Sequence, residues 1–177
     1  MGTFYEDVIC QDQRFHSTEA CRDLTLLEPA FRAKVQAMIA DAATKAIKLW
    51  ATETYRSRER QQMLFEQKLT ELQEVGVHHY GLACDFAMSN DGGKTADWNI
   101  QDWSDMLGPL AMKHGVVWGG DWQFTFDPQA IHKPGFHDSD HVQAIAVADQ
   151  AKLFAGTWYP EPATEIPKAG TAAGVEA

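Results

Sequence analysis

Cysteine is scarce in this sequence, and its spacing provides neither a disulfide framework nor a metal site. Only three cysteines occur among 177 residues, Cys10, Cys21 and Cys84, and no two of them form a C-x-x-C pair. An odd number of isolated cysteines argues against a disulfide-stabilised fold and against a zinc site with thiolate ligands. We expect three free thiols that are buried or half-buried as small apolar side chains.

Long apolar runs and an excess of positive charge are also missing. No stretch reaches the roughly 20 apolar residues that a membrane-spanning helix needs, so no membrane span is expected. The N-terminus has neither a basic start nor an apolar run, which predicts synthesis in the cytoplasm without a secretory signal peptide. Because Asp and Glu outnumber Lys and Arg to give a net charge of -10, a nucleic-acid partner is not expected either.

The remaining composition is that of one globular domain. Hydrophobic residues make up 45% and charged residues 23% of the chain, which is enough for a core without covalent cross-links. We predict a single domain over residues 1–158. A disordered tail is predicted over residues 159–177, because this stretch is rich in Pro, Ala and Gly and nearly lacks large apolar residues.

Hydrophobic periodicity and turn residues predict an α+β fold with a small antiparallel sheet and about three to four flanking helices. The predicted helices lie near residues 5–11, from Pro29 to about residue 46, from Ser57 to about Gly76, and over residues 100–114. The predicted strands are residues 48–54, 82–88, 116–118 and 142–147, with a hairpin at 90–93 that returns through residues 94–98. Alternation in the second strand directs Leu82, Cys84, Phe86 and Met88 towards the core and Asp85 to the opposite face.

The segment 78–85, with the sequence HHYGLACD, has the spacing of a metal site. His78 and Asp85 are separated by six residues that include Gly81, which permits a tight turn. A catalytic zinc ion takes three protein ligands and leaves a fourth position for water. We therefore assign His78 and Asp85 as two of three zinc ligands, with an ordinary hydrogen-bonded pair as the alternative.

A third ligand is expected in the segment 137–141, HDSDH. His141 is the best candidate, because Asp138 precedes it by three residues and its carboxylate is able to act as a general base beside the metal. The same segment imitates the H-E-x-x-H helix of other zinc proteases, with His137 and His141 as ligands. Pro134 and its neighbours disfavour a helix there, and Asp138 and His141 keep their roles under both assignments.

Arg56 lies where a predicted strand meets a predicted helix. An amide under attack by water develops negative charge on its oxygen, and a fixed donor near that oxygen stabilises the transition state by about 3 to 4 kcal/mol. We assign Arg56 to that role, with an exposed arginine at a helix start as the alternative. His79 is expected to be exposed or to support its neighbouring ligand, and His16, His114 and His132 are expected to be solvated.

Taken together, these motifs resemble those of a family of zinc peptidases that act on peptidoglycan, peptidase family M15. The family includes D-alanyl-D-alanine carboxypeptidases and dipeptidases of the vancomycin-resistance type and phage L-alanyl-D-glutamate endopeptidases. The resemblance covers residues 54–142 and rests on Y-R-S-x-x-x-Q at 55–61, H-x-x-G-x-A-x-D at 78–85, W-G-G-D-W at 118–122 and D-x-x-H at 138–141.

The resemblance implies a role for each matching residue. One Zn²⁺ per chain is bound by His78, Asp85 and His141, while Asp138 is the catalytic base and Arg56 stabilises the transition state. The implied substrate-binding residues are Tyr55, Ser57, Gln61, Trp118, Asp121 and Trp122. The implied fold is that of the Hedgehog and D,D-peptidase group.

The implied activity is that of a zinc-dependent endopeptidase of peptidoglycan stem peptides, similar to the L-alanyl-D-glutamate endopeptidases of phage or prophage endolysins. A D-alanyl-D-alanine carboxypeptidase or dipeptidase and a non-catalytic, zinc-stabilised binding module are the alternatives. We expect a monomer that acts on the cell wall after release through a holin-like pore. Gly76 and Asp140 replace the usual Ser and Pro, and the segment 123–137 is long, so the substrate specificity is left open.

Overall fold

The computed structural model describes residues 2–125, 127 and 129–160, and these residues form an α+β fold. Its α-helices are α1 (Phe4–Asp7), α2 (Pro29–Thr44), α3 (Arg58–Glu66), α4 (Ile100–His114) and α5 (Gln150–Phe154). Its strands are β1 (Lys48–Glu53), β2 (Ala83–Ser89), β3 (Val117–Trp118) and β4 (His141–Gln143). Short 3-10 turns cover Ile9–Gln11, Leu24–Leu26, Val77–Tyr80, Ala130–His132 and Val147–Asp149. The predicted fold class is confirmed.

The four strands form one antiparallel sheet in the order β1-β2-β4-β3. The register pairs Glu53 of β1 with Asp85 of β2, and Asp85 in turn with His141 of β4. A bulge between Ala51 and Glu53 interrupts the first of these ladders. Three residues from distant parts of the sequence therefore lie in one row across the sheet.

The core forms where α2 and α4 cover one side of the sheet. Phe31 and Val35 of α2 and Trp103 and Leu107 of α4 are fully buried there. Leu82, Cys84, Phe86 and Met88 are buried as predicted, the last three in this same core, whereas the side chain of Asp85 keeps 17% exposure. Alternation along β2 thus separates an apolar side from a side that carries a carboxylate.

Residues 15–21 pack against the junction of β1 and α3, a role that the mixed composition of this region did not predict. Tyr55 donates a hydrogen bond from its hydroxyl to the carbonyl of Phe15 over 2.8 Å. The backbone N–H of Thr54 donates to the carbonyl of Cys21 over 2.7 Å. As predicted, the three cysteines are free thiols, two of them buried.

The helix predicted from Ser57 to about Gly76 is shorter in the structure. Its start is confirmed, since the hydroxyl of Ser57 caps α3 by accepting from the N–H of Arg60 over 3.0 Å. The helix ends at Glu66, and Lys68 adopts a left-handed φ of 60°. Leu69 and Leu72, which we expected to face inward, are 69% and 42% exposed because they belong to the irregular stretch that follows.

Two strand predictions are also wrong. No strand returns through residues 94–98, because the carboxylate of Asp91 accepts from the N–H groups of Lys94 and Thr95 and closes a compact loop instead. The last strand covers only His141–Gln143 rather than residues 142–147. In contrast, α4 has the predicted bounds, and Gly115 ends it in the left-handed conformation with φ 62°.

The predicted tail falls mostly on residues 161–177, which lie outside the described residues. None of the helices in the described part of the chain has the length and apolar character of a bilayer-crossing segment.

Candidate metal centre and active-site cleft

His78, Asp85 and His141 bring three possible metal-binding atoms together at one end of the sheet. Nε2 of His78 lies 3.1 Å from Oδ1 of Asp85 and 3.2 Å from Nδ1 of His141. Nδ1 of His141 lies 2.9 Å from the same Asp85 oxygen. One atom from each of the three residues thus falls within 4.8 Å of the others. Two imidazole nitrogens and one carboxylate oxygen are a donor set that fits catalytic zinc.

Hydrogen bonds on the far side of each ring determine which nitrogen faces the other donors. Nδ1 of His78 lies 3.3 Å from the carbonyl oxygen of Thr54. A carbonyl only accepts, so Nδ1 carries the proton and Nε2 has a lone pair that is able to bind a metal. Nε2 of His141 lies 3.3 Å from Oε1 of Gln143. The amide nitrogen of Gln143 donates to the carbonyl of Ile145 over 2.7 Å, which fixes the direction of its oxygen. His141 therefore presents Nδ1, and His78 presents Nε2.

The three donors also influence one another electrostatically. Burial raises the pKa of Asp85, but the electrostatic attraction of His78 and the hydrogen bonding with the ring of His141 outweigh this, and the net pKa is well below its usual range. Burial lowers the pKa of His141, yet the hydrogen bond and charge of Asp85 produce a net increase. The site thus holds Asp85 as a carboxylate and favours positive charge at its centre, as a cation site requires.

Arg56 extends from the β1–α3 junction to the same carboxylate. Its guanidinium donates to Oδ2 of Asp85 over 3.1 Å and to Glu53, with the Nε contact at 2.9 Å. Burial lowers the pKa of Arg56, and the negative charges of Asp85 and Glu53 more than compensate, so the net pKa is raised. Arg56 is therefore a fixed cation in the cleft rather than an exposed residue at a helix start.

Glu53 is a buried member of this network that the sequence did not reveal. It is 6% exposed and accepts hydrogen bonds from both Arg56 and Arg60. No motif marks it, because its place beside Asp85 depends on the pairing of β1 with β2. The one sequence signal for Glu53 is its position two residues before the Y-R-S motif.

Asp138 is held by the glycines of the W-G-G-D-W segment. Its N–H donates to the carbonyl of Gly119 over 3.0 Å. A Cβ on Gly119 would lie 2.2 Å from the carbonyl oxygen of Asp138, so only glycine fits at this crossing. The segment that we expected to border the substrate therefore supports the turn that carries Asp138 into the cleft.

Asp140, one of the two departures from the family pattern, lies beside the carboxyl group of Asp138. Its pKa is raised to about 7, first by burial, then by the negative charge of Asp85 and by a hydrogen bond with Asp138. The local backbone remains regular, since the carbonyl of Asp140 accepts from the N–H of Phe86 over 3.0 Å. The substitution thus keeps His141 in place and adds a carboxyl group beside Asp138.

A cleft of about 450 Å³ lies beside the metal-binding atoms. Arg56, Gln61, His78, Trp122, Asp138 and His141 are all part of its wall. The ring of Trp122 lies 5.3 Å from that of His141 and stacks on Phe136 at 6.3 Å. Thr70, Glu71 and Phe136 also line a second hollow of about 550 Å³, so the two hollows share part of one wall.

The other expected substrate-binding residues have different contacts and do not line this cleft. Tyr55 is 2% exposed, and Ser57 caps α3. Trp118 donates from its indole to the carbonyl of Ser139 over 2.8 Å. Asp121 accepts from Thr125 and from the N–H of Asp127.

The remaining histidines are divided between structural and surface positions. His137 contacts the carbonyl of Lys133, is not part of the donor cluster and does not lie in a helix. The assignment of His137 and His141 as an H-E-x-x-H-like pair therefore gains no support. His79 is buried among aromatic rings, where burial lowers its pKa to about 4, and its Nδ1 contacts the carbonyl of Arg56 at 3.2 Å. His114, which we expected to be solvated, lies 2.6 Å from Asp41 with 17% exposure. His16 and His132 are exposed.

Sequence comparison assigns these residues to a known family. A family model described as D-alanyl-D-alanine carboxypeptidase matches residues 70–132. The peptidoglycan L-alanyl-D-glutamate endopeptidase CwlK of Bacillus subtilis (strain 168) is 30% identical in an alignment 129 residues long, which covers 62% of this chain and 76% of the relative. The chain belongs to peptidase family M15. This M15 peptidase is therefore an enzyme of the metallopeptidase class.

Solved structures similar to this M15 peptidase include ChiX, LdcB and VanYB. The L-Ala D-Glu endopeptidase ChiX of Serratia marcescens has a TM-score of 0.45 and 19% identity, over 74% of this chain and 95% of that one. The LD-carboxypeptidase LdcB has a TM-score of 0.48 and 17% identity, over 73% and 64%. VanYB, solved with D-alanine-D-alanine, has a TM-score of 0.48 and 15% identity, over 73% and 77%.

Proposed function

We propose that this M15 peptidase is a zinc-dependent endopeptidase that hydrolyses the L-alanyl-D-glutamate bond of peptidoglycan stem peptides. The observation that carries the proposal is the presence, in one cleft, of a His78, Asp85 and His141 donor set, a carboxylate at Asp138 and the cation of Arg56. The 30% identity to the endopeptidase CwlK supports the choice of bond. The proposed place of action is the cell wall.

The proposed chemistry divides the work among these groups. His78, Asp85 and His141 would hold a zinc ion, which would supply a Lewis acid that polarises a carbonyl oxygen and acidifies water. The carboxylate of Asp138 accepts the proton of the attacking water and then delivers it to the nitrogen of the leaving amine. As the carbonyl carbon becomes tetrahedral, an N–H of Arg56 donates to the oxygen that gains negative charge.

The extended cleft supports an endopeptidase over a dipeptidase. Two neighbouring hollows of about 450 and 550 Å³ share part of a wall, and each lies within the range of about 300 to 1,000 Å³ that holds a drug-sized ligand. This space exceeds what one dipeptide needs. A carboxypeptidase remains the second candidate, since the family model that matches residues 70–132 carries that description.

The two activities are separated by the amino groups that they release. Zinc-loaded protein is incubated with purified sacculi and, separately, with the dipeptide D-alanyl-D-alanine, and new amino termini are labelled and identified by mass spectrometry. We expect new amino termini on D-glutamate from sacculi and no cleavage of the dipeptide. Release of D-alanine instead would replace the endopeptidase proposal with the carboxypeptidase. A wild-type protein that is inert on both substrates would favour a zinc-stabilised binding module.

Asp138→Asn tests the proposed base in the same assay. We expect kcat to fall by about 10² to 10⁴, because the amide cannot accept the proton of water, while bound zinc stays at one per chain. Asp149→Asn is the matched control, since Asp149 lies on the surface beside Lys152 and outside the cleft lining. A fully active Asp138→Asn variant would show that Asp138 is not the base.

A further inference from the structure

Gln61 lies between Arg56 and a wall of the cleft. It is 2% exposed on the inner side of α3. The wall is the 67–76 segment, which follows α3 and contributes Thr70, Glu71, Leu72 and Gly76 to the cleft. The amide of Gln61 contacts both neighbours at once, and each contact has its own consequence.

The first contact limits how Arg56 presents its donors. A guanidinium has five N–H groups in one plane. The N–H of Nε donates to Glu53, and the two N–H bonds of Nη2 donate to Glu53 and to Asp85. One N–H of Nη1 donates to Oε1 of Gln61 over 3.3 Å. Among the described residues, the second N–H of Nη1 is therefore the one left for a ligand in the cleft. Because the plane is rigid, the bonds to Glu53, Asp85 and Gln61 together fix the direction of that last N–H, and the bond to Gln61 is the one made at the same nitrogen.

The second contact holds the wall. Nε2 of Gln61 donates to the hydroxyl of Thr70 over 3.1 Å and to the carbonyl of Leu72. The 67–76 segment has no helix or strand of its own, so bonds of this kind set its position. The amide of Gln61 accepts at its oxygen and donates from its nitrogen, whereas a carboxylate in its place would only accept and an apolar chain would do neither.

We propose that Gln61 is a positioning residue that couples the free N–H of Arg56 to the 67–76 segment, and that it does not contact the substrate. The amide of Gln61 thereby positions both the 67–76 segment of the cleft wall and the N–H of Arg56 that donates to the developing oxyanion. This proposal rests on the proposed function for its catalytic consequence, whereas the coupling itself is a property of the folded chain.

Kinetic constants of three variants test the proposal. Gln61→Met removes both contacts and is expected to lower kcat about 10- to 100-fold, since misplacement by about 1 Å costs that much. Gln61→Glu keeps an acceptor for Arg56 but loses the donor to Leu72, so we expect kcat nearer to wild type and a raised KM. Gln62→Met is the matched control, because Gln62 is the next residue of α3 and its amide bonds only to Glu66 on the surface.

A double-mutant cycle distinguishes action through Arg56 from direct contact with substrate. If Gln61 acts through the guanidinium, Gln61→Met causes no further loss of kcat in an Arg56→Met background. A full and additive loss in that background would overturn the proposal, as would a Gln61→Met variant with the kcat of the Gln62→Met control.

Amide hydrogen exchange tests the coupling without any substrate. Exchange of residues 69–76 is expected to be faster in Gln61→Met and Gln61→Glu than in wild type, and unchanged in Gln62→Met. Equal exchange in all four proteins would overturn the coupling even if hydrolysis were robust. Faster exchange in a protein that is inert on sacculi would sustain the coupling and reject the proposed function instead.

Discussion

At the scale of single residues, the orientation of His141 depends on one neutral side chain. Gln143 is 1% exposed, and its oxygen receives both the ring N–H of His141 and the amide of Gln150. Partners of this kind hold a histidine in the tautomer and the orientation that a metal needs. Gln143 never contacts the proposed ion, yet it determines which nitrogen the ion meets.

Gln143→Leu is therefore expected to weaken zinc binding about 10- to 100-fold, as is typical when the partner of a ligand is lost. Competition with a chromophoric chelator measures the dissociation constant directly. Gln150→Leu is the control, because it removes the other hydrogen bond to the same oxygen and leaves that of His141. An unchanged zinc affinity in Gln143→Leu would contradict the assigned tautomer.

Sequence spacing predicted the donors but not their partners. His78 and Asp85 share a short motif with Gly81, whose φ of 69° makes the turn possible, and Asp138 with His141 form another. Such local patterns are readable because the chain itself brings the groups near each other. Glu53 and Gln143 act across strand pairings that no short motif records, so their roles follow only from the folded sheet.

At the scale of elements, the N-terminal segment that precedes α2 supports the junction of β1 and α3, where Arg56 lies. Arg14 stabilises this segment by donating hydrogen bonds to Asp12 and, over 2.9 Å, to Asp23. Phe15 follows directly and accepts from the hydroxyl of Tyr55. The segment is polar and lacks periodicity, which explains why its packing role was not predicted.

Arg14→Met is expected to lower the free energy of unfolding by about 1 kcal/mol at pH 7, the scale of a partly exposed ion pair. Hydrogen bonds from Arg14 lower the pKa of Asp12, so the ion pair stabilises the fold above the unfolded pKa of about 3.9 and is lost as the pH falls through the lower folded value. Urea unfolding at pH 7 and pH 3 measures both free energies. A difference between wild type and variant that is equal at the two pH values would contradict this linkage.

Helix boundaries were predictable where the caps are local. The bounds of α4 were predicted, and in the structure they coincide with an N-cap at Asn99 and a left-handed Gly115. The end of α3 was missed because the carbonyl of Leu72 is bound by the side chain of Gln61, a contact that lies eleven residues away in sequence. Tertiary hydrogen bonds of this kind override hydrophobic periodicity.

At the scale of the whole molecule, the donor cluster joins the two inner strands of the sheet. Asp85 lies in β2 and His141 lies in β4, and the pairing of these strands spans only three residue pairs. An ion bound by both strands would reinforce this short ladder. Binding to the folded chain alone stabilises it by mass action.

Zinc at about 100 times its dissociation constant is expected to stabilise the fold by about 2.7 kcal/mol, which raises Tm by about 5 to 10 °C for a chain of this size. Differential scanning calorimetry of metal-free protein with and without zinc measures the shift. His141→Ala is expected to abolish most of it, because only two donors remain. A shift of equal size in His141→Ala would show that zinc binds elsewhere.

The separation of the donors along the chain has a consequence for synthesis. Arg56, His78 and Asp85 leave the ribosome well before His141, which follows Asp85 by 56 residues. Under the proposed roles, an incomplete chain that ends before Asp138 has two zinc ligands and no base, so we expect it not to hydrolyse peptide bonds. We expect activity only after β4 has joined the sheet.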